Sequence, residues 1–480
     1  MAKKEIIYST ADLRSFLDDA QRNGLFLRVD KTVNIDTEVA TLCAQAYWPT
    51  LFRSVEDYWN CLLVDGLTRN RNTQAMALGL DCAASDVVPG FAEKMSQGPG
   101  ETVTIDNAPV KEIIWRDDDA SLNRLPVPIP TEGKNFPKMN IIAEDFMSPV
   151  ISGAIAIVKH PVTGVQATFQ TMAKVVGDYR AQFTINSEKV QDILKAWSDM
   201  DQPCPIALVI GCHPAIELCA QFEDPAHDTC GMDYVSHFLG APLPLTTCET
   251  ADLQVPATAE IVIEGIIDQR REPYLHQSSP CGTFAPIVSM EPFFDVTALT
   301  SRENPIYRHM QPNPATDYHA AMELRLAPAV YMLLTDVGLT VHDVAMPTKT
   351  GGSCLIVQMT THSADDIKTA YNTISGIKQP PRLVIFVDED IDIYDLHDIV
   401  FALSTRCDPA EDLRHKQDMT GIPDAINTLI NAGGGIEILP NNCWAIDATK
   451  PPLDNPDRRR EFDRIQARGE GLFFLEDYVK

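Results

Sequence analysis

The alternation of hydrophobic and polar positions is clearest in the C-terminal third. Arg382-Leu-Val-Ile-Phe-Val387 opens an apolar, β-branched and aromatic run that predicts a buried strand. The run breaks into the acids Asp388, Glu389, Asp390 and Asp392. Leu396, Ile399, Val400 and Leu403 then recur at helical spacing. The segment therefore predicts strand, acidic loop and helix. Such a junction places polar groups at the carboxyl end of a strand and at a helix N-terminus, where open α/β sheets bind ligands. The same acids also suit a purely local role, capping the helix and favouring its dipole.

Upstream, residues 9–60 read as helical. Ser9 with Asp12 has the form of a capping box, and Leu13, Phe16 and Leu17 continue an apolar face. Within that span a short strand, Leu25-Phe-Leu-Arg-Val29, follows Asn23-Gly24, and a second helix starts near Asp36 with Val39, Leu42 and Ala46. Residues 61–120 mix short strands and helices without a chemical motif. Leu125-Pro-Val-Pro-Ile-Pro130 excludes helix and disfavours a central strand, so it marks a hinge near a domain boundary. Residues 150–310 are strand-rich. Val150–Val158 is apolar, His160–Gly164 is a turn, and Val165 begins a returning strand. Residues 188–200 predict a helix, and Pro205–Gly211, Glu260–Ile267 and Phe293–Leu299 predict strands. From residue 310 on, helices and strands alternate, with a helix over 364–377, which is an α/β rhythm. The charged tail, residues 453–480, predicts a helix around Arg458–Arg468 packed on a neighbour.

Composition bounds the function. A chain of 480 residues holds several domains with real cores. The formal net charge of −28 argues against nucleic-acid and anionic-membrane partners, and also suits a salt-adapted host. The 12 cysteines, Cys43, Cys61, Cys204, Cys212 and Cys407 among them, form no CxxC pair. That pattern suits buried thiols in a reducing cytoplasm rather than a disulfide framework or a zinc site. The N-terminus lacks a signal-type apolar region, and no apolar run approaches the ~20 residues of a membrane span. No internal repeat or low-complexity tract is present.

Several pieces, in order along nearly the whole chain, resemble the UbiD family of carboxy-lyases. They are LNRLPVP (residues 122–128), PCPIALVIGCHPAIELCA (203–220), VPATAEIVIEG (255–265), SRENPIY (301–307), PTKTGGSCLIVQM (347–359), the VDEDIDI…STRCDP stretch, and Ala445-Ile-Asp-Ala-Thr-Lys-Pro451. The form of VDEDIDI is most similar to the gallate- and phenol-type branch. The resemblance implies an α/β protein, α+β overall. Residues 1–120 would form an N-terminal α/β domain. Residues 121–310 would form a central split β-barrel resembling flavin reductases. Residues 311–480 would form a C-terminal α/β oligomerisation domain with a helical tail. It further implies prenylated flavin mononucleotide, a divalent metal such as Mn²⁺ at its phosphate, often K⁺, and an Arg–Glu–Glu/Asp network. The substrate class it implies is an aromatic or α,β-unsaturated carboxylic acid.

Residue by residue, most of that chemistry is substituted. The family arginine falls on Gln170 or Met172, depending on the branch used for alignment, and neither carries a charge. Met172 is then a cofactor-binding position. The metal-ligand histidine falls among Asn186, Ser187 and Lys189, of which Asn186 can ligate weakly. The ligand glutamate has Asp233 as its nearest acid, which also suits a helix cap, and gapless alignment places Gly231 there. The acid–base loop, E-G-P-x-G-[DE] in the family, reads Ser278-Ser-Pro-Cys-Gly-Thr283. Ser278 and Thr283 thus replace both carboxyl groups, and hydroxyls with pKa values far above 7 cannot serve as the proton shuttle. Cys281 in that loop is either a nucleophile or a structural thiol, with no histidine beside it in sequence. Arg382 sits where relatives carry a lysine to the flavin phosphate, and arginine is a good substitute; a strand-end surface arginine is the plainer alternative. His213 follows the IALVIG strand, as a cleft residue or a hydrogen-bonded structural one.

Two readings follow. One is an enzyme of the UbiD fold, a decarboxylase or one with altered chemistry, working as a homo-oligomer such as a dimer or hexamer. The other is a non-catalytic subunit in a hetero-oligomer with an active UbiD homologue.

Overall fold

The structure, a computed structural model, describes residues 11–58, 61–81, 86–125, 149–185, 187–222, 229–276, 287–310, 317–347, 350–419, 428–430, 436–438 and 440–465. The first helix, α1 (Leu13–Arg22), buries Leu13, Phe16, Leu17 and Ala20 along one face. Its capping box is Asp12 with Ser15, one turn later than the Ser9–Asp12 expectation. Asp12 directly precedes the first buried position, so its carboxylate is the group that meets the open backbone amides. The same carboxylate takes Arg302 at 2.7 Å, and Arg14 reaches Glu260 at 2.8 Å, clamping α1 to later strands.

The helical expectation for residues 9–60 holds for only part of that span. Strands β1 (Leu27–Val29), β2 (Thr50–Phe52) and β3 (Leu62–Asp65) flank a helical turn over Ile35–Gln45. Pairing between β1 and β2 and between β2 and β3 overrides local propensity there, because each short strand gains a ladder and a buried face.

Six antiparallel strands close into a barrel. They are β4 (Val150–Lys159), β5 (Gln166–Gly177), β6 (Arg180–Phe183), β7 (Cys204–Ile210), β8 (Ile261–His276) and β9 (Ile287–Ser301). Their order is β8-β7-β4-β5-β6-β9, and β8 pairs back onto β9. Helices α2 (Glu188–Asp199) and α3 (Pro214–Cys219) flank β7. The long apolar runs make sense because alternate residues feed different cores. Ala154, Ala156 and Val158 join Phe183, Leu208 and Phe294. Ile155 and Ile157 join Val209, Val262 and Leu218 on the other side.

After the barrel, β10 (Ile306–Arg308) returns to pair in parallel with β3. It passes so close to β4 that a Cβ at Gly153 would collide with the Arg308 carbonyl oxygen. Helix α4 (Asp317–Asp336) then carries the chain to a five-stranded sheet. That sheet comprises β11 (Thr340–Ala345), β12 (Cys354–Thr360), β13 (Leu383–Val387), β14 (Leu413–Met419) and β15 (Asn441–Ala448). Its order is β11-β12-β13-β15-β14, parallel in the centre and antiparallel at both edges. Helices α5 (Asp366–Ser375) and α6 (Leu396–Thr405) connect it. Leu324, Val330 and Leu334 of α4 share one core with Val209, Val357 and Phe386.

The acids after β13 are tied down. Asp388 is fully buried between Arg406 and Arg459, each at 3.0 Å. Asp390 takes Arg406 at 2.7 Å and Lys450 at 3.0 Å. The VDEDIDI, STRCDP and ATKP segments are thus one ion-paired knot at the carboxyl end of the sheet. Burial pushes the Asp388 carboxyl up to about 6 against the pull of its partners. For Asp390 burial works upward too, but Arg406 and Lys450 outweigh it and hold the group at about 2. In the tail the described helix is Pro456–Arg460 and residues 461–465 are not helical, against the expected Arg458–Arg468, whose last three residues lie outside the described ones. Ion pairs rather than an apolar face hold it, so nothing in the packing favours extension. No described helix is long and apolar enough to cross a membrane.

Candidate active site

A cleft of about 390 Å³ lies between the barrel and the C-terminal sheet. Ser187 and Glu188 at the start of α2, and Gln221 and Phe222 just beyond α3, form its barrel wall. Facing them are α4 and the Ile377–Gln379 loop. Leu326, Val330, Leu333 and Ile377 make the interior apolar. Lys378 and Glu188 form an exposed ion pair that joins the two walls.

Behind this wall a glutamine pair replaces a charge. Gln170 lies on β5, and its carbonyl oxygen accepts a hydrogen bond from the Gln221 amide. Its own amide donates to the Met310 sulfur. Gln170, Glu217, Met310 and Asp317 face one small enclosed void. Next to it Arg308, wholly buried, forks onto Glu217 at 3.0 and 3.1 Å and also pairs with Asp317. The Asp317 carboxylate accepts the Leu67 and Thr68 amides at 2.8 and 2.9 Å. This knot fastens β10, α3, α4 and the turn after β3 together. Burial raises the Glu217 carboxyl despite the Arg308 guanidinium.

The other expected site residues lie elsewhere. Met172, two positions along β5, is half-buried and donates its amide to the Thr184 hydroxyl at 3.3 Å. Asp233 sits in the Gly231–Tyr234 turn, where its carboxylate accepts the Cys230 amide at 2.9 Å, and burial raises its pKa. His213 caps α3 by accepting the Ala215 amide, and burial lowers it to about 4. Arg382 is half-buried at the head of β13, and its carbonyl accepts the Trp444 amide at 2.9 Å. None of Met172, Asp233 and Arg382 is among the described cleft-lining residues. Asn186, Ser278, Cys281 and Thr283 lie outside the described residues.

A divalent metal does not fit the described donors. Asp233 is committed to its cap. Among the described residues, Cys43, Asp65 and His309 are the one group whose donor atoms all lie within 4.8 Å of one another. There Asp65 already takes His309 at 2.9 Å and Arg69 at 2.8 Å. Burial, with the nearby Asp65 carboxylate, raises the Cys43 thiol far above its ordinary value. The group is a neutralised hydrogen-bond knot rather than a ligand shell. A flavin is compatible with the cleft, because its mostly apolar lining suits a planar ring.

The sequence reading missed Glu217, Arg308 and Asp317, which come together from positions 217, 308 and 317 with no local signature. It also missed Gln221 and Arg325, which belong to none of the motifs the sequence offers.

The fold is a mixed α/β one, in which a closed antiparallel barrel and an α/β sheet flank an apolar cleft. Residues 101–314 match the 3-octaprenyl-4-hydroxybenzoate carboxy-lyase Rift-related domain, and residues 319–431 match the C-terminal domain of the same family. The chain belongs to the UbiD family. It is 24% identical over 401 residues to an anhydromevalonate phosphate decarboxylase of Methanosarcina mazei, covering 82% of this chain and 87% of that one. It is 27% identical over 257 residues to ferulic acid decarboxylase 1 of Saccharomyces cerevisiae, half of each chain. The structure is similar to that of the UbiD-class enzyme HmfF from Pelotomaculum thermopropionicum in complex with FMN. That likeness has a TM-score of 0.83 at 27% identity and covers 98% of this chain and 100% of that chain.

Proposed function

We propose that this chain is a UbiD-type carboxy-lyase that binds a prenylated flavin and an aromatic or α,β-unsaturated carboxylic acid in the cleft between barrel and C-terminal sheet. The observation that supports this most is the apolar cleft itself, walled by Phe222, Leu326, Val330 and Ile377 in a chain of this family. The bound flavin would supply the electron sink for forming or breaking the carbon–carboxyl bond. The apolar lining would exclude water, and Gln170 would orient Gln221. Ser278 and Thr283 occupy the family's acid–base positions, so the proton would come from elsewhere, and Glu217, raised by burial, is with Asp317 one of two described carboxyls lining Gln170's void. Mn²⁺ is not part of this reading, since the described donors do not suit it.

The test is co-expression with a flavin prenyltransferase, followed by a visible spectrum, metal analysis and assay against a panel of aromatic and unsaturated acids. The reading expects bound prenylated flavin, no stoichiometric manganese, and loss of CO₂ from at least one acid. Colourless protein with no turnover would contradict it.

The uncharged residues at the candidate positions of the family arginine, Gln170 and Met172, favour a second reading, a non-catalytic subunit of a hetero-oligomer with an active homologue. That reading expects colourless chain co-purifying with the homologue from its native source.

A further inference from the structure

The family's arginine position falls on Gln170 or Met172, neither of which is charged or lines the cleft, yet a substrate carboxylate needs a cation or a cluster of donors when its apolar body is buried. Gln170 carries no charge to offer it, and its amide donates to the Met310 sulfur while its carbonyl accepts from Gln221. Two cations line the described cleft, Arg325 and Lys378. Lys378 is paired with Glu188 where the two walls meet. Arg325 is exposed on α4 and has no hydrogen-bond or ion-pair partner among the described residues. Its neighbours on that wall, Leu326 and Ala329, are apolar, and Phe222 and Ile377 belong to the same lining. A guanidinium with no partner among the described residues, at the edge of an apolar slot, is a recognition group for an anion with an apolar body.

The slot is also polar along its length. Arg325, Ala329, Met332 and Asp336 recur at helical spacing, so one face of α4 runs along the cleft. Asp336 lies three turns beyond Arg325, ~16 Å at the rise of an α-helix. Its carboxylate repels an anion at that end, so the anionic group of a ligand is directed to the Arg325 end.

We propose that Arg325 is the anchor for the substrate's carboxylate, and that the cleft takes an amphipathic monoanion with its apolar body along α4 and its carboxylate at Arg325. This rests on the cleft being the substrate site. It makes Arg325 a binding residue that takes over the anion-recognition role left open by the uncharged Gln170 and Met172.

The experiment measures binding, so it stands apart from whether the protein turns anything over. 2-Naphthoate and its neutral isostere 2-naphthamide are titrated by calorimetry into the purified full-length chain and into Arg325→Ala, Arg325→Lys and Lys378→Ala, each checked for folding by circular dichroism. The proposal expects wild-type protein to bind the carboxylate about tenfold or more tighter than the amide, the scale of one charge-assisted contact. Arg325→Ala loses that preference while keeping the amide affinity, Arg325→Lys retains part of it, and Lys378→Ala retains it all. The preference also shrinks as salt rises, because Arg325 is exposed. Equal binding of carboxylate and amide by the wild type, no binding of the carboxylate, or an Arg325→Ala protein that keeps the preference would each overturn it. If the carboxylate preference holds and no acid is decarboxylated, the anchor stands and the reaction assignment falls.

Discussion

The Arg308 guanidinium lies 3.0 Å from the Glu217 carboxylate, with no side-chain surface of Arg308 and 6% of that of Glu217 open to solvent. With Asp317 this pair joins the strand that leaves the barrel, the helix behind the cleft wall and the helix that enters the C-terminal sheet. Breaking such a pair leaves an uncompensated buried charge, so Arg308→Met alone should cost about 3–5 kcal/mol. Arg308→Met combined with Glu217→Leu should recover part of that loss. Urea unfolding of the two variants checks this, and equal stability of Arg308→Met and the wild type would contradict it.

The contact of β4 with Arg308 gives a steric counterpart. Gly153 has the Arg308 carbonyl oxygen where a Cβ would stand. Gly153→Ala should therefore cost about 1–3 kcal/mol, as overpacking does, although alanine is otherwise the more favourable residue in a strand. A thermal melt reads the outcome, and an unchanged midpoint would show that β4 and β10 are further apart than described.

Stability should depend on pH through Asp343. Burial pushes its carboxyl up to about 7, against the Tyr394 hydroxyl that donates to it and the Arg71 guanidinium. Arg71 itself lies over the Tyr394 ring and pairs with Glu323, so the group sits where α4, β11 and the loop after β13 meet. A carboxyl whose pKa is higher folded than unfolded binds its proton more tightly in the native state. Its contribution is full below the unfolded value near 4 and is lost as pH rises through about 7. Stability should fall across that window, and Asp343→Asn should flatten the fall without reversing it. Denaturation midpoints from pH 4.5 to 8 decide the matter. An identical slope in the variant would assign the dependence to other groups such as Glu291, which burial also raises to about 7.

Much of the fold was legible because its signals are local and periodic. Val150–Val158, Pro205–Gly211 and Leu383–Val387 are long apolar runs, and strands that feed a core on each face need such runs. The first helix was placed correctly but its cap was not, since Ser9 and Asp12 both satisfy the spacing and only the first buried residue, Leu13, decides between them. The ion-paired role of Asp388 and Asp390 was half legible. Their acidity shows in sequence, but their partners Arg406, Lys450 and Arg459 lie in separate segments. The Arg308 knot was not legible at all, because a buried charge pair has no periodicity. Arg325 was hidden for a related reason, as one cation beside Glu323 on a helix of mixed character reads as its solvated side.

The knot at the end of the C-terminal sheet should hold the short tail helix in place. Arg459 reaches Asp388 at 3.0 Å and the Pro451 carbonyl at 3.0 Å. Arg459→Ala should cost about 1.5–3 kcal/mol, the worth of hydrogen bonds to a charged group. Faster hydrogen exchange should appear first in residues 448–460, while the barrel strands keep their protection. Exchange that rises equally in the barrel would contradict this local role.

The central claim, that the cleft carries carboxy-lyase chemistry without the family's arginine and acid pair, is tested most directly by isotope exchange. The flavin-loaded protein is incubated with ¹³C-bicarbonate and a panel of aromatic and α,β-unsaturated acids, and the carboxyl groups are followed by mass spectrometry. We predict label in the carboxyl of at least one acid, at a rate that falls in Arg325→Ala. Protein with bound prenylated flavin that labels none of the acids would contradict the account.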